Sequence, residues 1–512
     1  MTTDFLGWIY KYRAGSYADV WDCFGYHGLH QFFHFINYSF YRIFGLNFWA
    51  WCLFFALLHG INASLVYILF QKILNSFELK KVKSIALISA ILFLISPYQV
   101  EVLTWKACMH YLLSTCMALI SFLLVIKYTQ SAKTKYQWTY FLVLIGALFT
   151  LELSLVIPVI IGWYLLCLQS FRSEWRMFYS QFLKILLPSI IILGTYLALN
   201  QMVLGELVGH YGSEKHLDFS PGLILPNTLK YFFKYGLFSH YLPFIQKQAI
   251  YSFSEGVGIY LIFTVLLIGA LVWPFTKRKP SPRLSVIGFT LGGFCIALLP
   301  VLNLYFYKDM ICENDRYGYF ASPYIYLFIT LLIFLVKGKL RKYIFGLYLL
   351  LISLILAQMI ASAYWAGRIQ HSLAEDFRWY DAEEVVLLAS PDNYRGMYMY
   401  RDYDGKAPAL KETLDLFQGK VFQGKFSNIM QFNMMQPDDK MPAVVLDSTK
   451  IKVMIGQGGT WFWREGIGGG DYETEDYHID KITYEYILRI KGKKSGRIFL
   501  TQEGDKWKEI KI

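Results

Sequence analysis

Long apolar runs of this 512-residue chain are interrupted by a few residues that could do chemistry. Asp4 lies near the start, and Glu101, Trp105, Lys106 and His110 fall between two apolar runs. Glu152 separates two more, His59 and Asn62 stand three residues apart in the first long run, and Asp315 and Arg316 open another within ENDRYGYFAS. A charge at or inside a bilayer is costly unless partnered, so ionisable groups there are functional candidates by default. Carboxylates can take or give a proton. Lys, Arg and protonated His can hold a phosphate by charge-assisted hydrogen bonds. The set therefore suits acid–base work on a phosphate-bearing ligand. Each member also has a structural reading. Asp4 can be a solvated residue of a frayed terminus, Glu101 with Lys106 an interfacial ion pair, and Glu152 a helix-hairpin cap. His59 and Asn62, on one helix face, can make interhelical hydrogen bonds, and Arg316 can anchor a span end at the headgroups.

The elements that must position these residues are transmembrane helices. The chain is 55% hydrophobic and 17% charged, a balance that a water-soluble chain of this size does not need. Apolar stretches at 48–71, 84–98, 108–126, 138–151, 153–169, 185–204, 257–275, 285–306, 319–336 and 343–365 predict about ten spans. The second, fourth and fifth are short against the roughly 20 residues a span needs, as expected of helices that stop part-way at a protein-lined cavity. The net charge of +12 is concentrated in alternate loops: Lys72 to Lys83, Lys127 to Lys135, Arg172 to Lys184, TKRKPSPR and KGKLRK. Those loops read as cytoplasmic, which puts all the candidate groups except the His59–Asn62 pair on the outer face, with everything after about residue 366 also outside. No basic stripe or recognition motif points to nucleic acid. The seven Cys residues show no CxxC or Cys/His spacing, so neither a disulfide framework nor a zinc site is expected.

The sequence divides into an outer N-terminal segment (1–47), a transmembrane domain (48–366) and a soluble outer domain (367–512). GLHQFFHFINYSFYRIFG in the first segment predicts a helix lying along the membrane surface. A first segment with Asp4, Asp19 and Asp22 has to cross the membrane without a signal peptide, so a further span is expected upstream. LPNTLKYFFKYGLFSHYLPF (225–244) predicts a second interfacial or re-entrant helix. In the last domain AEEVVLLAS, RGMYMYR, AVVLD, IKVMIG, ITYEYILRI and GRIFLTQ predict strands and PALKETLDLF a helix, giving a small, mostly β fold. GQGGTWFWREGIGGGDYE (456–473) lacks the GxxxxGK pattern of a phosphate loop and reads as a structural or acceptor-contacting loop exposing Trp461 and Trp463.

Several of these segments, in order and spacing, resemble the GT-C-fold membrane glycosyltransferases related to protein O-mannosyltransferases and to the tetratricopeptide-carrying transmembrane mannosyltransferases. TTDFLGW with Asp4 resembles their first helix ending in an outward acidic residue. SPYQVEVLTW resembles HP-x-x-VE-x-x-x-W, keeping Pro97, Val100, Glu101 and Trp105. LFTLELSLVIP resembles LLSKE-x-x-x-x-x-P, keeping Glu152 and Pro158, and DRYGYFAS resembles ERYLYLPS, keeping Arg316, Tyr317, Tyr319 and Ser322. LLHGINASLVY, with His59 and Asn62, resembles their His-x-x-Asn helix. The resemblance covers residues 1–365. It departs from the family at His27-Gly28 (Arg-Pro), at Leu151 (Lys), at Met109, His110 and Tyr111 (basic and acidic residues), and at Thr3-Asp4 (an acidic pair). The family's tetratricopeptide repeat of about 34 residues has no counterpart in the last domain.

This resemblance implies a transferase that moves a sugar from a polyprenyl-phosphate donor to an acceptor outside the cytoplasmic membrane, with inversion. Asp4 would be the general base. Arg316, Lys106 and His110 would stabilise the leaving phosphate, and Glu101 and Glu152 would orient donor hydroxyls or the base. A divalent cation on Asp4 and Glu101 is compatible with the chemistry, but nothing in the spacing demands one, and no other cofactor is indicated. The rivals are a transporter or flippase for a lipid-linked saccharide, and a non-catalytic membrane scaffold presenting the β domain.

Overall fold

Each of the ten apolar stretches carries a helix in the computed structural model, which describes residues 3–22, 29–208, 220–276, 281–304, 306, 315–400, 410–454, 460–463, 466–467, 472–482, 484–492 and 495–512. In chain order the helices are α1 (Thr3–Ala14), α2 (Tyr17–Asp22), α3 (Gln31–Phe44), α4 (Phe48–Ser76), α5 (Val82–Leu94), α6 (Val100–Thr104), α7 (Met109–Ser131), α8 (Thr134–Leu148) and α9 (Ile157–Arg172). Then follow α10 (Trp175–Gln181), α11 (Leu187–Leu204), α12 (Pro221–Leu237), α13 (Phe244–Glu255), α14 (Val257–Thr276), α15 (Pro282–Leu298), α16 (Ser322–Leu335), α17 (Gly338–Asp376) and α18 (Leu410–Gln418). Local chemistry sets several of these ends. The Asn47 side chain caps α4 by accepting from the Ala50 N–H at 3.2 Å, and Ser281 caps α15, whose first residue is Pro282.

The protein is a multi-span helical membrane protein. Among the described residues six helices are long and apolar enough to cross a membrane, or up to eight if each of two bent pairs counts as one span. Even eight is fewer than the ten predicted, because α8 and α16 have 15 and 14 residues, below the roughly 20 needed. The two bent pairs have identifiable causes. α5 and the helical stretch Pro97–Thr104 meet at 53° where Pro97 removes a donor and crowds the preceding turn, and α13 and α14 meet at 72° around the extended Gly256. Between Gln181 and α11 a π-helical turn, Phe182–Leu186, accommodates Pro188 without breaking the run.

The chain forms two compact units, one made of Ser16–Leu103 and Cys108–Leu356, the other of Met1–Gly15, Thr104–Ala107 and Ala357–Ile512. In the first, the helical unit, α4 packs on α5 and α7, α7 on α8, α15 on α9 and α16, and α5 on α16. The second unit is built on a mixed sheet. Its strands are β1 (Glu384–Tyr394), β2 (Met397–Tyr398), β3 (Lys425–Met434), β4 (Ala443–Asp447), β5 (Lys450–Met454), β6 (Thr460–Trp463), β7 (Gly466–Ile467), β8 (Tyr472–Glu473), β9 (Tyr477–Ile482), β10 (Glu485–Ile490), β11 (Arg497–Glu503) and β12 (Lys506–Ile510). The main sheet has the order β12-β11-β1-β3-β6-β7, with β2 on β1; a second runs β4-β5-β10-β9-β8. β1 pairs in parallel with both β11 and β3, with Val385 beside Ile498 and Phe426, and is buried throughout, as a strand covered on both faces must be. The step β1–α18–β3 is therefore a parallel crossover. Phe5, Ile9 and Tyr12, spaced four and three apart, give α1 a buried stripe that packs on α18.

Two sequence expectations are refined here. ITYEYILRI, read as one strand, is the hairpin arm β10 and the end of β9, and the Gly-rich 456–473 segment contributes β6, β7 and β8, with Trp461 paired to Phe432. The side chains of Trp461 and Trp463 lie outside the described residues.

Candidate functional site in the helical unit

Within the helical unit the segments around Glu101 and Asp315–Arg316 meet. Pro97 ends the first limb of the broken helix, and the turn after it carries Glu101, fully surrounded by protein. The backbone N–H of Arg316 donates to Glu101 Oε2 at 2.6 Å, and Arg316 Nη1 donates to Oε1 at 2.6 Å, so one carboxylate is held by a charged side chain and by main chain at once. The guanidinium lies over the Tyr317 ring, 4.5 Å from its centroid, and Nη2 donates to the Tyr317 hydroxyl at 3.1 Å.

Beside this pair stands a second. Lys234 Nζ is 2.5 Å from Asp315 Oδ1 with neither side chain exposed, and the Tyr241 hydroxyl donates to Asp315 Oδ2 at 3.2 Å. Aromatic faces complete the Lys234 environment: Tyr98 at 5.2 Å and Tyr231 at 5.5 Å from Nζ, with the Tyr98 hydroxyl bonded to the Lys234 carbonyl. One turn earlier, Lys230 pairs with Glu255 at 2.9 Å. In the sequence these lysines were read as part of an interfacial or re-entrant helix. The signal that marks them was available: KYFFK places two cations four apart, on one helix face, in an aromatic-rich apolar stretch.

The remaining predicted residues fall into separate groups. His59 and Asn62 clamp Tyr319, three positions after Arg316. The Tyr319 hydroxyl is 2.9 Å from His59 Nδ1 and accepts from Asn62 Nδ2 at 3.1 Å, while His59 Nε2 reaches the Leu94 carbonyl at 3.1 Å. One tautomer satisfies all three, with Nε2 donating to Leu94 and Tyr319 donating to Nδ1. Asn62 also donates to the Leu112 carbonyl, so the pair ties α4 to α5, α7 and the Arg316 segment. His110 lies among aromatic side chains of α3 and its flank, 6.3 Å from the His30 ring centroid and 5.1 Å from that of Phe33. Glu152 is buried in the short 3-10 turn Glu152–Val156 that joins α8 to α9, just ahead of Pro158.

Asp4, Trp105 and Lys106 belong to the other unit. Asp4 is on α1, its side chain outside those described; His27 and Gly28 also lie outside the described residues. Trp105 packs edge-on against Tyr398 with ring centroids 4.7 Å apart, and Lys106 is buried. Among the described residues no group of three or more His, Cys, Asp or Glu side chains could hold a metal ion.

No protein-family profile matches the chain, and no curated protein matches it. What the architecture establishes is a polytopic helical membrane protein with a β-rich C-terminal domain, an arrangement consistent with GT-C glycosyltransferases and not specific to them.

Proposed function

We propose that this chain is a membrane glycosyltransferase that transfers a sugar from a polyprenyl-phosphate donor to a protein, lipid or glycan acceptor outside the cytoplasmic membrane, with its C-terminal domain on that outer side. The observation that supports this reading is the union of Glu101 with Arg316: the two segments most like the family's motifs, 215 positions apart, share one hydrogen-bonded carboxylate. The acceptor hydroxyl loses its proton to a carboxylate base, the role that the resemblance gives Asp4, and its oxygen attacks the anomeric carbon of the donor. The bond from that carbon to the phosphate oxygen breaks with inversion, and polyprenyl phosphate leaves as an anion stabilised by Arg316. Glu101 fixes the Arg316 guanidinium for that task, and Glu152 orients donor hydroxyls.

A transporter for a lipid-linked saccharide is favoured by one feature, the two spans bent by 53° and 72°, since broken helices line substrate sites in transporters. The deciding experiment is transfer of radiolabel from polyprenyl-phosphate sugars in membranes expressing the chain, with Asp4→Asn and Glu101→Gln alongside. Label entering a product and lost in both variants is expected. Folded protein that transfers no label from any donor, but moves a lipid-linked saccharide between leaflets, replaces the transferase reading with the transporter.

A further inference from the structure

At the end of α16 remote from Arg316, the helical unit holds a second polar feature that the transfer reaction does not use. The α4–α5 loop, the start of α15, the end of α16 and the start of α17 line an open cavity of about 120 Å³, in which Lys80, Lys81 and Arg283 are exposed and Arg341 is half-buried. Lys80, Lys81, Arg283 and Arg341 line it, and its walls include Ile85, Ile287, Leu331 and Phe334. Among the described residues no Asp or Glu lines it; Glu78, in the same loop, is not one of its lining residues. None of the four cations has an ion-pair partner among the described residues, and Arg341 is held with its guanidinium 5.2 Å from the Phe334 ring centroid. The positive-inside bias explains why basic residues occupy these loops. It does not explain why cations from one loop and two helix starts converge on one cavity with apolar walls, where they repel one another without an anion between them.

We propose that this cavity is a binding site for an anionic phospholipid, with the phosphate of the headgroup held by Lys80, Lys81, Arg283 and Arg341 and the acyl chains lying along Ile287, Leu331 and Phe334. Such basic pockets between spans are the physical form of lipid-headgroup recognition, and a chain bridging four elements ties them together. The inference is independent of the transferase reading, since it concerns the opposite ends of these helices and is tested without catalysis.

The test uses the full chain purified in neutral detergent, with thermal unfolding and lipid retention by native mass spectrometry as readouts. Phosphatidylglycerol, phosphatidylcholine and inorganic phosphate are added separately. The expected result is that phosphatidylglycerol alone is retained and raises the melting temperature, with binding weakened about fivefold for each cation removed. Arg283→Gln/Arg341→Gln loses the effect; Lys127→Gln/Lys135→Gln, two lysines of another basic loop that do not line the cavity, keeps it. Should the double arginine variant fail to fold, Lys80→Gln/Lys81→Gln serves the same comparison. Equal stabilisation by phosphatidylcholine, or equal loss in the control variant, overturns the site. A full shift with inorganic phosphate overturns the lipid in favour of a small anion.

Discussion

Lys234 and Asp315 face each other at 2.5 Å with neither side chain exposed to solvent, the most enclosed charge pair of the helical unit among the described residues. Two charges taken out of water are tolerable only together, because their mutual attraction offsets much of the desolvation that each one suffers. Lys234→Met and Asp315→Asn alone are each expected to destabilise the protein by about 3–5 kcal/mol, and the double variant to recover most of that loss. Thermal unfolding of the four proteins in detergent reads the coupling directly; additive losses would mean that the pair is not energetically joined.

Glu101→Gln keeps the shape of the side chain but removes the anion that receives both the Arg316 guanidinium and its backbone N–H. If Arg316 steadies a leaving phosphate, its placement matters more than its presence. Glu101→Gln and Arg316→Lys are each expected to lower sugar transfer by about 10²–10³-fold, since a lysine cannot reproduce the planar fork. Donor affinity measured on the same proteins separates misplacement of the cation from failure to bind, and melting temperature controls for folding.

How far the sequence carried these conclusions follows from what local pattern can encode. The spans were legible because apolar runs are local signals, and the segments carrying Glu101 and Arg316 stood out because their charges fall between apolar runs. Their pairing was not, because a contact across 215 positions leaves no trace in either segment. Lys234 was passed over because aromatic residues on both sides made its helix look interfacial, whereas burial against Tyr98 and Asp315 turned it inward. β3, KFSNIMQFNM, went unseen for a related reason: Asn428, Gln431 and Asn433 interrupt its apolar run. Those polar groups are accepted inside the sheet because they bond locally, as Asn428 does with Ser390 at 3.0 Å and Gln431 with the Tyr400 carbonyl at 2.6 Å.

Helix α3 carries a pH signature. His34 is buried, and that burial, reinforced by His30 and His110 nearby, holds its imidazole well below its ordinary value of 6.5. The unfolded chain therefore binds a proton below pH 6.5 that the folded chain refuses, so stability is full above 6.5 and declines as pH falls toward the depressed native value. The slope for one such proton is about 1.4 kcal/mol per pH unit. Unfolding followed from about pH 7.5 to about pH 5.5 should be nearly flat above 6.5 and approach that slope below it, and His34→Gln should flatten the lower part; an unchanged slope in the variant would assign the effect to other groups.

Gly318 closes the turn between Arg316 and α16, and its use there is steric. A Cβ at this position would meet the Tyr235 hydroxyl oxygen at 2.0 Å and the ring carbon that bears it at 3.1 Å. Tyr235 is buried, with its ring packed against those of Tyr98, Tyr326 and Phe294 at centroid distances of 4.9, 5.7 and 5.9 Å, so the ring cannot simply withdraw. Gly318→Ala should then shift the Arg316 turn as well as the aromatic cluster, costing about 1–3 kcal/mol of stability with a parallel loss of transfer. Tyr235→Phe removes the closest atom, and the Tyr235 hydroxyl has no hydrogen-bond partner among the described residues, so that variant alone should cost little. Combined with Gly318→Ala it should restore most of the lost stability, because the remaining contact at 3.1 Å needs a movement of only tenths of an ångström. If the double variant is no better than Gly318→Ala, the glycine is required by its backbone and not by the hydroxyl pressed against it.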